Sequence, residues 1–159
     1  MPDTMTRMLP MHVRLKSITL LLVILANASA FAAPRYLNSG EVLPATLPFS
    51  EAVEVGDLLF LSGQIGNLPG TLELAEGGIQ AETRQVMENI TTTLGAHGYA
   101  LSDLVKCTIF LADMAEWDSF NEVYAGYFPA GRYPARSALG SSGLAFDARV
   151  EVECIGSKE

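Results

Sequence analysis

Residues 104–112 constrain this chain more than any other stretch. Val105, Cys107, Ile109 and Leu111 alternate there with Lys106, Thr108 and Phe110, the period of two that a β-strand imposes on its side chains. Apolar groups stand on both sides, so the strand needs cover on both faces. Upstream, Val86, Ile90 and Leu94 recur every four positions between about residues 79 and 96, with Met87 alongside. That is the stripe of an amphipathic helix, and Gly98 ends it. Downstream, Asp113 is placed to cap a second helix, whose Trp117, Phe120 and Tyr124 share one face with Val123 and Tyr127 beside it. Gly131 and Pro134 close that segment.

Two shorter strands precede the first helix, residues 51–55 and 57–62, joined at Gly56; the second is apolar through Leu58, Leu59, Phe60 and Leu61. Asn67, Pro69 and Gly70 then mark a turn. Two more strands follow the second helix, residues 136 to about 141 and 148–155, with Ser142 and Gly143 in the turn between them. The order strand, strand, helix, strand, helix, strand, strand predicts a single α+β domain with two helices packed on one mixed sheet. Two helices cover only one face. The other face therefore predicts self-association, the simplest source of cover.

At the N-terminus Arg14 and Lys16 precede an uncharged apolar run, residues 18–26, and Ala28, Ser29 and Ala30 follow at the spacing of an export cleavage site. The run is shorter than the ~20 residues a bilayer span needs. Residues 1–30 are expected to be a signal peptide, cleaved after Ala30 or Ala32, and residues 31–159 the working domain, periplasmic or secreted. Without residues 1–30 the chain loses Asp3, Arg7, Arg14 and Lys16, so the formal charge moves from −8 to −10, with seven cationic side chains against seventeen acidic ones. No basic surface is left to neutralise phosphates. Nucleic acid and membrane are thus not expected partners of the processed chain, and a small-molecule substrate is.

That domain holds one histidine, His97, beside the helix-ending Gly98, where partnering the helix dipole is the ordinary role. Histidine-cluster metal sites and Ser/His/Asp triads both need an imidazole held within a site. Cys107 and Cys154 are too few and too far apart for a zinc motif, and no glycine-rich phosphate loop of common spacing is present. No metal or nucleotide cofactor is expected. Each cysteine stands among apolar strand neighbours, which predicts two buried free thiols even in an oxidising compartment.

Three strings carry candidate chemistry: Ser62, Gly63 and Gln64 at a strand end; Pro134, Ala135, Arg136 and Ser137; and Val150, Glu151, Val152 and Glu153 on an alternating strand. A planar guanidinium such as that of Arg136 grips a carboxylate with two parallel charge-assisted bonds and keeps its proton. Alternation puts Arg149, Glu151 and Glu153 on one face and Val150, Val152 and Cys154 on the other. In a cleft the Glu151 pKa rises, which suits a group that takes and returns a proton. The plainer readings are an ion pair for Arg136, a solvated strand face, which fits Glu153 better than Glu151, and a turn former for Ser62.

From about residue 47 to 155 the chain resembles the reactive intermediate deaminase family (RidA, or YjgF-like). The resemblance runs through Gly56, Asp57 and Leu58 to Phe60, then Ser62 to Gln64, Glu82 to Val86, Asn121 to Tyr124, and the Arg136 and Glu151 strings, in that order. It implies a chorismate-mutase-like fold, a homotrimer with three intersubunit sites, and hydrolysis of enamines and imines released by pyridoxal-phosphate enzymes. By the same resemblance Arg136 binds the substrate carboxylate, Glu151 positions and activates water, Ser62 and the Gly63 backbone form a hydrogen-bonding floor, and Asn121 lies near the neighbouring subunit's site. The sequence departs from the family at Phe49, where many members have tyrosine, at Ala138, where cysteine is common, and through residues 138–147. These departures bear on substrate choice. A noncatalytic ligand-binding or chaperone-like protein of the same fold is the alternative, and a secreted hydrolase of another imine or lactam-like bond is a third.

Overall fold

The computed structural model describes residues 33–158, so the expected signal peptide lies outside the described residues. Seven strands form one mixed sheet: β1 (Arg35–Leu37), β2 (Ala52–Val55), β3 (Leu58–Leu61), β4 (Gln64–Ile65), β5 (Leu104–Leu111), β6 (Ala135–Gly140) and β7 (Val150–Ser157). They lie in the order β1-β2-β3-β7-β5-β6, with β4 paired to β7 beyond the end of β3. β5 and β6 are parallel and the other pairs antiparallel. A parallel pair needs a crossover, and helix α2 (Trp117–Tyr124) supplies it. Helix α1 (Ile79–Ala96) carries the chain from β4 to β5.

Helix α1 has the bounds its four-residue stripe predicts: Val86, Met87, Ile90 and Leu94 are fully buried against Leu59, Ile109, Leu111, Val150 and Val152 of the sheet. It stops where Gly98 takes φ +74°, a left-handed conformation that glycine alone adopts without strain, and Tyr99 N–H closes back on Leu94 C=O at 2.8 Å. The Asp113 carboxylate accepts the Ala115 N–H at 2.9 Å, opening a short turn of helix that runs into α2.

The strand alternation breaks at one place. Between Leu104 and Lys106 the β5–β7 register slips, Val105 is the extra residue, and it stands 48% exposed instead of joining Cys107, Ile109 and Leu111 in the core. Arg149 likewise precedes β7, and its guanidinium turns to Glu116 and Glu82 at the start of the helices.

The expectation of two free thiols is overturned. Cys107 and Cys154 face each other directly across β5 and β7, 4.1 Å apart at Cα, and are joined in a disulfide. Apolar neighbours speak to burial, and both residues are buried. They say nothing about which strand lies opposite, and that register decides pairing.

The sheet face away from the helices presents Leu58 and Phe60 of β3, Phe110 of β5, and Leu139 of β6, with Phe60 41% and Leu139 45% exposed. Lys106, Thr108, Ser137 and Glu153 lie among them, and the Lys106 ammonium donates to the Ser137 hydroxyl at 2.7 Å.

Candidate active site

Register assigns the two charged candidates to opposite faces of the sheet. Arg136 pairs with Cys107, which is buried on the helix side, so its side chain rises towards α2. There Trp117, Phe120 and Tyr124 stand at i, i+3 and i+7 and stack along the helix, with ring centroids 6.0 and 5.3 Å apart. The guanidinium carbon sits 4.5 Å from the Trp117 ring centroid and 4.9 Å from that of Tyr124. Cation–π contact holds the fork without occupying its N–H donors. Among the described residues no carboxylate pairs with Arg136, so the ion-pair reading has no partner there. The guanidinium opens into a cavity of about 340 Å³ shared with Asn121, Tyr124, Tyr133 and Pro134. The Tyr124 hydroxyl in its wall is buried without a hydrogen-bond partner; burial raises its pKa and the Arg136 charge opposes the rise.

Glu151 pairs with Phe110 on the open face. It lines a separate cavity of about 290 Å³ with Gly63, Phe49 and a set of aliphatic side chains. Gly63 admits the Glu151 carboxylate where it stands, because a Cβ at that position would overlap it and make it shift. Burial pushes the Glu151 carboxyl above the ordinary carboxylate range, and neighbouring Glu153 adds to the rise. Glu153, one alternation further along, is exposed.

The remaining candidates fall outside both cavities. The Ser62 hydroxyl donates to the Ser50 carbonyl at 2.7 Å, tying the end of β3 to the segment before β2. Ala138 packs on the helix side against the core. Thus the structure groups Arg136 with Asn121, and Glu151 with Gly63 and Phe49, and it leaves Ser62 and Ala138 as supports.

Two buried carboxylates escaped the sequence reading. Glu82 on α1 accepts the Arg149 N–H at 2.8 Å and lies 3.9 Å from the Arg149 guanidinium; burial raises its pKa against those two contacts. It thereby fixes the entry to β7, two residues before Glu151. Glu51 is paired with His97 Nε2 at 2.7 Å and accepts the Ser39 hydroxyl at 2.9 Å. His97 therefore ties the end of α1 to β2. In both cases the partners are far apart in sequence, and no local pattern links them.

Comparison with known proteins identifies the family. The family model described as Endoribonuclease L-PSP matches residues 40–157. The chain belongs to the RidA/YjgF-like family. It is 46% identical over 112 residues to a RutC family protein of Pyrococcus horikoshii, covering 70% of this chain and 88% of that one. It is 39% identical over 113 residues to the 2-iminobutanoate/2-iminopropanoate deaminase of Mus musculus, covering 70% of this chain and 83% of the mouse protein. A Rid family protein of Yersinia pestis has the same fold, with a TM-score of 0.75 at 35% identity over 79% of this chain and all of that one. The α+β arrangement is thus the RidA fold, and membership places the chain among deaminase-like proteins.

Proposed function

We propose that the chain hydrolyses small imines and enamines that carry a carboxylate, acting as an exported homotrimer in which each site takes Arg136 from one subunit and Glu151 from its neighbour. The observation that carries this reading is the separation of the two groups. They sit two strands and three residues apart, roughly 14 Å at the backbone by sheet spacing, and face opposite ways. A small imino acid cannot bridge them within one protomer. A second copy laid against the open face can bring the two cavities together, and the apolar groups on that face favour such a partner.

In such a site the unpaired guanidinium of Arg136 takes the substrate carboxylate through two charge-assisted bonds. Asn121 beside it offers an amide to the same end of the substrate. The imine carbon then lies over Gly63 and Glu151. Glu151 takes a proton from water as the water oxygen adds to the imine carbon, giving a carbinolamine. It hands that proton to nitrogen, completing the amine; a second transfer through Glu151 moves the hydroxyl proton to the same nitrogen, so that the C–N bond breaks, ammonia leaves and the carbon–oxygen double bond forms. One imine and one water yield one 2-oxo acid and one ammonia. An enamine first shifts a proton from nitrogen to carbon and becomes the imine. A carboxyl with a raised pKa suits both halves, since it must accept and release a proton near neutral pH.

The Cys107–Cys154 bond supports the export part, because disulfides persist chiefly in oxidising compartments. Ammonia release from freshly generated 2-aminoacrylate or 2-iminobutyrate tests the chemistry. No acceleration over the spontaneous rate would leave the noncatalytic binder as the better reading. Light scattering of the processed chain tests the assembly, and a monomer mass at micromolar concentration would remove the shared site.

A further inference from the structure

We infer that the cavity beside Glu151 is a side-chain subsite for 2-imino acids with a branched aliphatic or aromatic side chain, and that Phe146 sets this preference. The inference rests on the reading of Glu151 as the hydrolytic group. Apart from Glu151, the cavity wall carries no charged or hydrogen-bonding side chain among the described residues: Leu43, Leu47, Phe49, Ile65, Leu72 and Phe146 supply most of it. At about 290 Å³ the space is far larger than the methyl or ethyl group of the smallest imino acids fills. A methyl group would leave apolar walls against water, whereas an isobutyl or benzyl group would cover them.

The rim is built for such cover. Within one protomer Phe49 and Phe146 stand 47% and 56% exposed, so both rings present apolar area towards the shared site. Phe49 offers a bare ring where a tyrosine would present a hydroxyl. Phe146 is held at φ 57° and the next residue, Asp147, at φ 59°, left-handed conformations that disfavour a bulky side chain. A glycine would occupy that position without strain. The chain instead places an aromatic ring there, beside the carboxylate, in the short turn that leads into β7. Backbone strain retained at the edge of a cavity is a mark of function.

The test uses imines generated in place by an amino-acid oxidase from leucine, phenylalanine and alanine, with the rate of imine loss read by trapping. The expected result is a kcat/KM about 10-fold or more higher for the leucine and phenylalanine imines than for the alanine imine. Phe146→Gly, which relieves the left-handed strain and so keeps the fold, should bring the three rates together. Equal rates in the unaltered protein, a preference for the alanine imine, or a preference that Phe146→Gly leaves intact would overturn the subsite while leaving hydrolysis in place. Calorimetry with the stable products separates the two readings: 4-methyl-2-oxopentanoate should bind about 10-fold more tightly than pyruvate. That difference without any imine hydrolysis would sustain the subsite and defeat the catalytic reading; its absence would defeat the subsite.

Discussion

The two cavities of this protomer are made in different ways. Around Arg136 most of the wall belongs to regular structure: a strand places the guanidinium, one face of α2 stacks three aromatic rings under it, and Tyr133 and Pro134 of the segment before β6 close the side. Around Glu151 only the carboxylate and Ile65 come from strands, and the rest of the wall is loop, with a glycine admitted for lack of a Cβ. On the proposed function the Arg136 cavity takes the group common to every candidate substrate, the carboxylate, and the loop-built one meets the part that varies. Division of this kind lets substrate choice drift through the loops without disturbing the anchor.

The largest expected effect separates the two cavities by role. Glu151→Gln keeps the shape of the pocket and removes the proton carrier, so turnover should fall roughly 10²- to 10⁴-fold with KM little changed, as steady-state kinetics of ammonia release would read. Loss of binding with unchanged turnover would assign Glu151 to the anchor and erase the distinction.

The disulfide comes next, because it joins β7, which carries Glu151, to β5, the strand beside Arg136: Cys107 on β5 is the register partner of Arg136 on β6, and Cys154 follows Glu151 by three residues on β7. Replacing both cysteines by serine should lower unfolding stability by about 2 to 4 kcal/mol in denaturant titration. Thiol titration of the unfolded, unreduced protein should find no reactive thiol, and two would show the bond is not formed.

Gly63→Ala probes the close approach. The added methyl meets the Glu151 carboxylate and must move it, and displacement of a catalytic group by about 1 Å costs on the order of 10²-fold in rate. Because Gly63 does not need a left-handed backbone, the melting temperature should hardly change. Full activity in this variant would show that the carboxylate position is not critical.

How far the sequence carried depended on the range of each interaction. Helix α1, the β5 alternation and the aromatic face of α2 are local periodicities, and each lies where its pattern puts it. β1 and β4, three and two residues long, hold no period to detect and exist because a neighbouring strand pairs with them. The bulge at Val105, the Cys107–Cys154 bond and the Glu51–His97 pair are set by register or by contacts 46 to 47 residues apart. Arg136 and Glu151 could be singled out by type and resemblance. Their placement on opposite faces required knowing that Cys107 lies between their strands.

Arg136→Lys tests the cavity under α2. Lysine keeps the charge but loses the fork and stacks less well on Trp117 and Tyr124, so binding should weaken by about 1.5 to 3 kcal/mol, read as a rise in KM with kcat nearly preserved. An unchanged KM would mean that the substrate carboxylate is held elsewhere.

The smallest effect concerns stability rather than rate, and it again sets one cavity against the other. Glu151 has a raised pKa in the folded state, mainly from burial, so the folded protein binds its proton more tightly than the unfolded chain does. Between the unfolded value near 4.3 and the raised folded value, the native state holds the extra proton, and stability attributable to this group falls as pH rises through that window. Glu151→Gln removes the effect. The stability difference between the variant and the unaltered protein should therefore shift in favour of the variant on going from pH 4 to pH 7, by a small margin because the group is only partly buried. Arg136→Lys exchanges one cation for another and should show no such pH-dependent difference over the same range. Parallel denaturant titrations of both variants would read it, and a pH-independent difference for Glu151→Gln would place its carboxylate in a solvated setting unlike the apolar cavity described.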